Sequence, residues 1–326
     1  MTTQLTTAEE RTLLTAAIAA PSVHNTQPWR FRVGPSSIEL LADYSFQLPN
    51  QDPHGRALLM SCGAALLNLR VAVEHLGHVA QVAYFPDPDE PDLLARLVLD
   101  GRSSRFGMSG ELFGAIELRH TNREPYEDRP VPAPVLAALV EAAHQEGAEL
   151  HTVTGVHERR RLVELIHDAD GEGDTASIAA LVEEAKKWTG VGPDRVDGVP
   201  ETALGPMPVN PNTPHRDLTR GRATSNRHFA VFEKDPTLAV LTTKRDDRES
   251  WLTAGQALER VLLVATIEGL VATFANQPLE KPTLRWLVRD PDEPIGFPQM
   301  IMRIGYGSPA PATPRRPLED VVVHVT

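Results

Sequence analysis

Two short polar stretches carry the side chains that could do chemistry. The first is PSVHNTQPW, Pro21 to Trp29, with Ser22, His24, Asn25, Thr26 and Gln27 between two prolines. Hydroxyls and amides place donors and acceptors close together there, and proline fixes the path, so the loop can meet the hydrogen-bonding edge of a polar ligand. The second is RHTNR, with Arg119 and Arg123 on either side of His120, Thr121 and Asn122. Guanidinium forks take phosphate bidentately, and a threonine hydroxyl adds a short hydrogen bond. A solvated basic turn would show the same composition. Near the C-terminus Arg315 and Arg316 stand between prolines, as further phosphate donors or as a basic tail. No nucleophile triad accompanies these stretches. Cys62 is the single cysteine, so no intramolecular disulfide and no cysteine metal cluster can form. His75 and His78 lie at a helix end without a carboxylate ligand set, so no metal site is expected.

The elements that must position these stretches follow from periodicity. TTAEERTLLTAAIAA reads as a helix with a capping box, Thr7 to Glu10, ended by Pro21. WRFRV and SSIELLAD alternate as strands on either side of a Gly-Pro-Ser turn. RALLMSCGAALLNLRVAVEHLG is a long helix whose small residues, Ser61 to Ala65, allow close approach; Gly77 marks its end, and HVAQVAYFP follows as a strand. From about Ile116 the order starts again. VPAPVLAALVEAAHQ is a helix, AELHTVTG a strand, and ERRRLVELIHDAD and ASIAALVEEAKKW are further helices. A Pro/Gly/Asn-rich run from Val191 to Arg227 is too long for an ordinary connection and has the character of a lid or binding loop. TLAVLTT, the helix RESWLTAGQALERVLLVATIEGL, and the strands VATFANQP and MIMRIGYG complete the chain before the tail TPRRPLEDVVV.

The two long helices superimpose in sequence. Gly63 matches Gly255, Gly77 matches Gly269 and Pro86 matches Pro278, each at an offset of 192. A common offset points to an internal duplication, with the small-residue helices packed at a shared interface. The halves keep different pieces: PSVHNTQPW follows the first helix of one half, and RHTNREPY precedes the first helix of the other. One composite site across the interface is the expectation.

The segments APSVHNTQPWRF, RHTNREPY, AGQALERVLLVATIEGL and RIGYG…PRRPLEDVV together resemble the nitroreductase-like flavoproteins, and the fused layout is similar to the Acg-type subgroup of actinobacteria. The resemblance implies an α+β nitroreductase-like fold, two related α/β halves fused as an intramolecular pseudo-dimer. The halves would be 1–112 and 113–326, with a lid insertion at about 191–227. It implies bound FMN, with NAD(P)H as donor and a quinone or nitro-type acceptor. The alternative is an FMN-sequestering protein with a closed lid and little turnover. Carried over, Arg119, His120, Thr121, Arg123 and Arg315 fall on the phosphate-binding positions. Pro21, Ser22, Val23, Asn25 and Gln27 fall on the loop that crosses to the flavin. Phe274, Ala275, Asn276 and Gln277 fall on the segment facing the flavin N5 and pyrimidine edge. The flavin carries the chemistry, so no catalytic side chain is required.

Charge and composition bound the remaining partners. The 326 residues carry a net charge of -12, with 41% hydrophobic and 23% charged residues. Such a balance suits a globular protein and argues against general nucleic-acid binding, which needs a cationic surface. No apolar run of membrane-spanning length and no secretory leader is read, so a cytoplasmic protein is expected, as a monomeric pseudo-dimer or a homodimer of it.

Overall fold

The computed structural model describes residues 5–102, 109–171, 175–210, 212–222, 224, 227–289 and 296–325. The chain opens with helix α1 (Thr7–Ile18), strands β1 (Trp29–Val33) and β2 (Ser37–Ala42), helix α2 (Arg56–His75), and strands β3 (His78–Tyr84) and β4 (Leu93–Arg102). The capping box of α1 lies one residue earlier than expected. The Thr6 hydroxyl accepts from the Glu9 backbone N–H at 3.2 Å, and the Glu9 carboxylate accepts from the Thr6 N–H at 2.9 Å. The run Thr-Thr-Ala-Glu-Glu offers the motif in two registers, and the structure takes the first.

Helix α3 (Ser109–Leu118) crosses the border drawn at 112/113 and packs on α2. Then come α4 (Ala133–Gln145), β5 (Glu149–Val153), α5 (Val156–Gly171) and α6 (Thr175–Trp188). Short strands β6 (Thr189–Val191), β7 (Val199–Pro200), β8 (Met207–Pro208) and β9 (Phe229–Ala230) mark the inserted segment. Strand β10 (Thr237–Thr243), helix α7 (Arg248–Ile267), strand β11 (Leu270–Phe274), the short helix α8 (Pro282–Arg285) and strand β12 (Phe297–Tyr306) follow. The tail forms one helical turn, α9 (Leu318–Val321), and strand β13 (Val322–His324).

The two larger sheets are ordered β13-β1-β2-β4-β3 and β11-β12-β10-β5; β6 pairs with β7 and β8 with β9. Within the first, β1, β2, β4 and β3 pair antiparallel in that order; within the second, β5, β10, β12 and β11 do the same. The helices correspond as well: α1 lies against α2, and α4 against α7. The sequence offset is reproduced by the elements. Helices α2 and α7 begin at Arg56 and Arg248 and both run 20 residues. Gly77 and Gly269 both take φ near +73°, the left-handed end that glycine tolerates. The insertion sits between β5 and β10, where the first half has only the turn between β1 and β2.

The long helices meet where the glycines are. A Cβ on Gly63 would fall 2.2 Å from the Leu252 carbonyl, and a Cβ on Gly255 would fall 2.0 Å from the Met60 carbonyl. Leu252 stands 192 residues after Met60, so the contact is reciprocal between the two helices. By length and composition α2 is apolar enough to cross a membrane, contrary to the expectation that no run reaches that length. In the fold 83% of that window is buried, because α2 lies against α1, α3 and α7. The tail returns to the first half, with β13 parallel to β1 in register Phe31 to Val322. That return carries Arg315 and Arg316 to the loop after α1.

Candidate functional site

A cavity of about 420 Å³ opens between the halves. This is within the ~300–1,000 Å³ usual for small-ligand and cofactor sites. The first half contributes Pro21, Ser22, Val23 and His24 from the loop after α1, with Arg56, Met60 and Ser61 from α2. The second half contributes Thr121, Arg123, Thr273, Phe274 and Asn276, with Gln299 and Met300 from β12. Thr121 bridges to Ala272, which stands opposite Ile304 on β12. From that end of the cavity to Gln299 the strand runs five residues, or roughly 16 Å.

The loop is held in an unusual backbone path. His24, Asn25 and Gln27 all have positive φ, at 47°, 56° and 53°. Three non-glycine residues in that region within four positions store strain that the surroundings must hold. The holding bonds are present: the Val23 N–H donates to Ser61 Oγ at 3.0 Å, and the Gln27 N–H donates to Ser22 Oγ at 3.0 Å. His24 Nε2 pairs with Gln51 Oε1 at 2.6 Å, and the Gln51 amide donates to Glu280 at 3.1 Å, so the loop is tied to both halves. Burial at the cavity wall, with Arg216 nearby, holds His24 down to about 3; burial and Arg227 hold His215 down to about 4. Both imidazoles are therefore neutral at ordinary pH.

Half of the expected ligand residues line the cavity: Pro21, Ser22, Val23, Thr121, Arg123, Phe274 and Asn276. The rest lie outside the lining. Asn25 and Gln27 face the insertion instead: the Asn25 amide donates to Gly198 O at 2.9 Å and the Gln27 amide to Val196 O at 2.8 Å. Ala275 is fully buried, and the Gln277 amide donates to His215 O at 3.0 Å. Arg119 and Arg315 turn to the end of α1, where both donate to Ala19 O, at 3.2 and 2.9 Å; Arg315 also reaches Ile18 O and Ala20 O. His120 is half-buried, its pKa lowered by desolvation and then by Arg119 and Arg315.

Arg123 and Arg56 are alike in their charge. Neither has a carboxylate within ion-pair distance among the described residues, and burial draws each down to about 10. Arg123 Nη1 donates to Ala203 O at 2.8 Å; Arg56 Nη1 donates to Gln299 O at 2.5 Å. Desolvated cations with only neutral acceptors favour an anionic or electron-rich occupant. Arg56, Gln51 and Gln299 were not singled out in the sequence. Arg56 there reads only as the first residue of an apolar helix, and Gln51 and Gln299 carry no pattern at all.

The segment 191–227 reaches the cavity; positions 211, 223, 225 and 226 of it fall outside the described residues. His215, Arg216 and Leu218 form part of the wall. Besides the ties to Asn25 and Gln27, Arg216 forms a two-bond ion pair with Glu280, 3.0 Å at Nη2. Gly205, at φ +70°, packs directly on Arg123, where a Cβ would fall 2.6 Å from the arginine Cβ.

Comparison with known proteins agrees with this architecture. The model of the Nitroreductase family matches residues 116–306. Over 324 residues the chain is 36% identical to a Mycobacterium tuberculosis protein provisionally named an NAD(P)H nitroreductase, covering 96% of this chain and 90% of the relative. Over 337 residues it is 30% identical to the protein Acg of the same organism, similarly named, covering 98% and 96%. Among solved structures, the FMN-dependent nitroreductase NfnB from Mycobacterium smegmatis in complex with NADPH is 16% identical. That match covers 66% of this chain and 97% of NfnB at a TM-score of 0.40, too loose an overlap for residue correspondence. On the family match and the relatives that span nearly its whole length, the chain belongs to the nitroreductase family.

Proposed function

We propose that the chain is an FMN-dependent oxidoreductase of nitroreductase type, a cytoplasmic intramolecular pseudo-dimer holding one FMN between halves 1–112 and 113–326. The observation that carries this reading is the composite cavity: the strained loop of one half faces the RHTNR segment and the end of β11 from the other. The residues suit FMN. Arg123 is a partly buried cation without a carboxylate at ion-pair distance among the described residues, and Thr121 also lines the cavity wall. Arg119 and Arg315 stand behind Ala19 and Ala20, adjoining Pro21 and Ser22 of the wall. These four donors, with His120, would take the phosphate. Pro21, Ser22 and Val23 would flank the ring system from one side and Phe274 and Asn276 from the other. Asn25 and Gln27 would hold the loop and the insertion in place; buried Ala275 and Gln277 would fix the end of β11. Held there, FMN would supply the redox chemistry, with NAD(P)H as donor and a quinone or nitro-type compound as acceptor. The protein orients it and excludes water.

The ties of the insertion favour a second reading. A lid fastened by Asn25, Gln27, Arg123, Gln277 and Glu280 would keep a nicotinamide from stacking on the flavin, making the chain an FMN-sequestering protein. Stopped-flow bleaching of the oxidised flavin band by NAD(P)H separates the two. Shortening 191–227 is expected to raise the reduction rate while leaving FMN affinity largely unchanged. Fast reduction of the native chain, unaltered by the deletion, rejects gating and leaves the oxidoreductase. If both proteins stay oxidised while folded and flavin-loaded, the oxidoreductase reading fails for this donor.

A further inference from the structure

Two guanidiniums share one small buried space at the end of α1. Arg119, 4% exposed, and Arg315 donate to the same carbonyl, that of Ala19, from opposite parts of the chain. The carboxylate beside them is Glu259 of α7, 0% exposed, its Oε1 3.4 Å from Arg119 Nε. The geometry is loose: Asn68 of α2 lies within reach of Glu259, but neither Asn68 nor Arg119 Nε makes a well-aligned hydrogen bond to the carboxylate. Glu146, by contrast, is engaged at both oxygens, by Arg70 and Arg260.

The groups facing Glu259 define its charge environment. Arg119 approaches from the end of α3 and Arg315 from the C-terminal segment, while α2 offers only the uncharged Asn68. His120 adjoins the two arginines, and desolvation first, then their charge, lowers its pKa. The neighbouring Arg70 and Arg260 are turned to Glu146. Two cations against one anion leave an excess positive charge in a dry site. Burial, opposed by Arg119, pushes Glu259 up to about 7, so its carboxylate is poised to change charge at neutral pH.

We propose that Glu259 is a built-in counter-ion that competes with an incoming phosphate for the Arg119–Arg315 pair, so that binding a phosphorylated flavin draws a proton onto Glu259. This rests on the reading that FMN puts its phosphate at those arginines. With no phosphate present, the carboxylate balances one guanidinium. When a dianion arrives, both guanidiniums turn their charge to it, and an ionised Glu259 is left facing a second anion. Taking a proton from solvent relieves that repulsion. The sign follows from linkage: a ligand that raises a group's pKa binds the protonated protein more tightly and weakens as pH rises above the unliganded value.

The test is titration calorimetry with FMN and with riboflavin between pH 7 and 8.5, in buffers of different ionisation enthalpy. A phosphomonoester is already largely dianionic in that range, its second pKa being near ~6. FMN is expected to take up between half and about one proton per molecule, and its dissociation constant to weaken roughly fivefold from pH 7 to 8. Riboflavin is expected to take up none. Glu259→Gln is expected to bind FMN at least as tightly as the native chain, with no proton uptake and a flat pH profile. A residue that merely packs would instead weaken binding and leave the proton count alone. Equal uptake with riboflavin, none in the native chain, or uptake persisting in the Gln variant overturns the proposal; the native measurements decide it even if that variant fails to fold. Failure of the native chain to bind FMN at all would be visible separately, and would overturn the cofactor reading itself.

Discussion

Gly255→Ala is expected to be among the most destabilising single-methyl additions available to this chain. The new Cβ would stand 2.0 Å from the Met60 carbonyl oxygen and 2.7 Å from its carbon. Those are backbone atoms of a helix, so no side chain can swing aside, and α2 and α7 must separate along their crossing. Overpacking of that kind costs about 1–3 kcal/mol and more where backbone must move. The effect should extend to the site, because Met60 at the crossing and the adjoining Ser61 line the cavity, and Ser61 Oγ holds the Val23 N–H. Thermal unfolding of Gly255→Ala against Gly114→Ala is the check. Gly114 lies in α3 with nothing within 4 Å of its would-be Cβ, so alanine there should be neutral or stabilising. An unchanged melting temperature for Gly255→Ala would mean that the helices are not in the close contact described.

Arg123→Ala is expected to weaken FMN binding by roughly ten- to a hundredfold, from the loss of charge-assisted hydrogen bonds worth ~1.5–3 kcal/mol. Riboflavin, lacking the phosphate, should bind the native chain weakly and be little affected. The comparison matters because Arg123 also donates to Ala203 O and supports the close approach of Gly205. If that structural role dominated, both ligands would lose affinity equally, which would contradict the phosphate assignment. Arg119→Ala should show the same preference for FMN over riboflavin, since Arg119 has a counter-ion in Glu259 but spends Nη2 on a single neutral carbonyl.

How much of this was legible in the chain depends on whether a feature is local. The two long helices and their glycine crossing were readable because the 192-residue offset repeats in side-chain size, not only in polarity. The structure adds what a periodic reading cannot hold. Strand β4 follows a Pro/Asp-rich stretch and alternates cleanly only after its first three residues, Leu93 to Ala95, which are all buried. The tail residues Val322–His324 become a strand only because β1 presents an edge to them. In the site, the polar loop was evident from composition, but the fate of its members was not. Asn25 and Gln27 stand only three and five positions after Ser22, yet their positive φ turns them toward the insertion. Glu259 was invisible for a related reason: an acid on an amphipathic helix reads as solvated until the fold closes a second helix over it.

The central claim is a single composite flavin site shared by two unlike halves. Its most direct test is the identity and amount of flavin released by heat from the purified, FMN-reconstituted chain, measured by absorbance and chromatography. The account predicts FMN, at one per chain, because each half supplies a set of wall residues that the other lacks. Two flavins per chain would mean that each half is complete in itself. None, after reconstitution with excess FMN in a folded protein, would mean that the cavity between α2, the strained loop and β11 serves some other ligand.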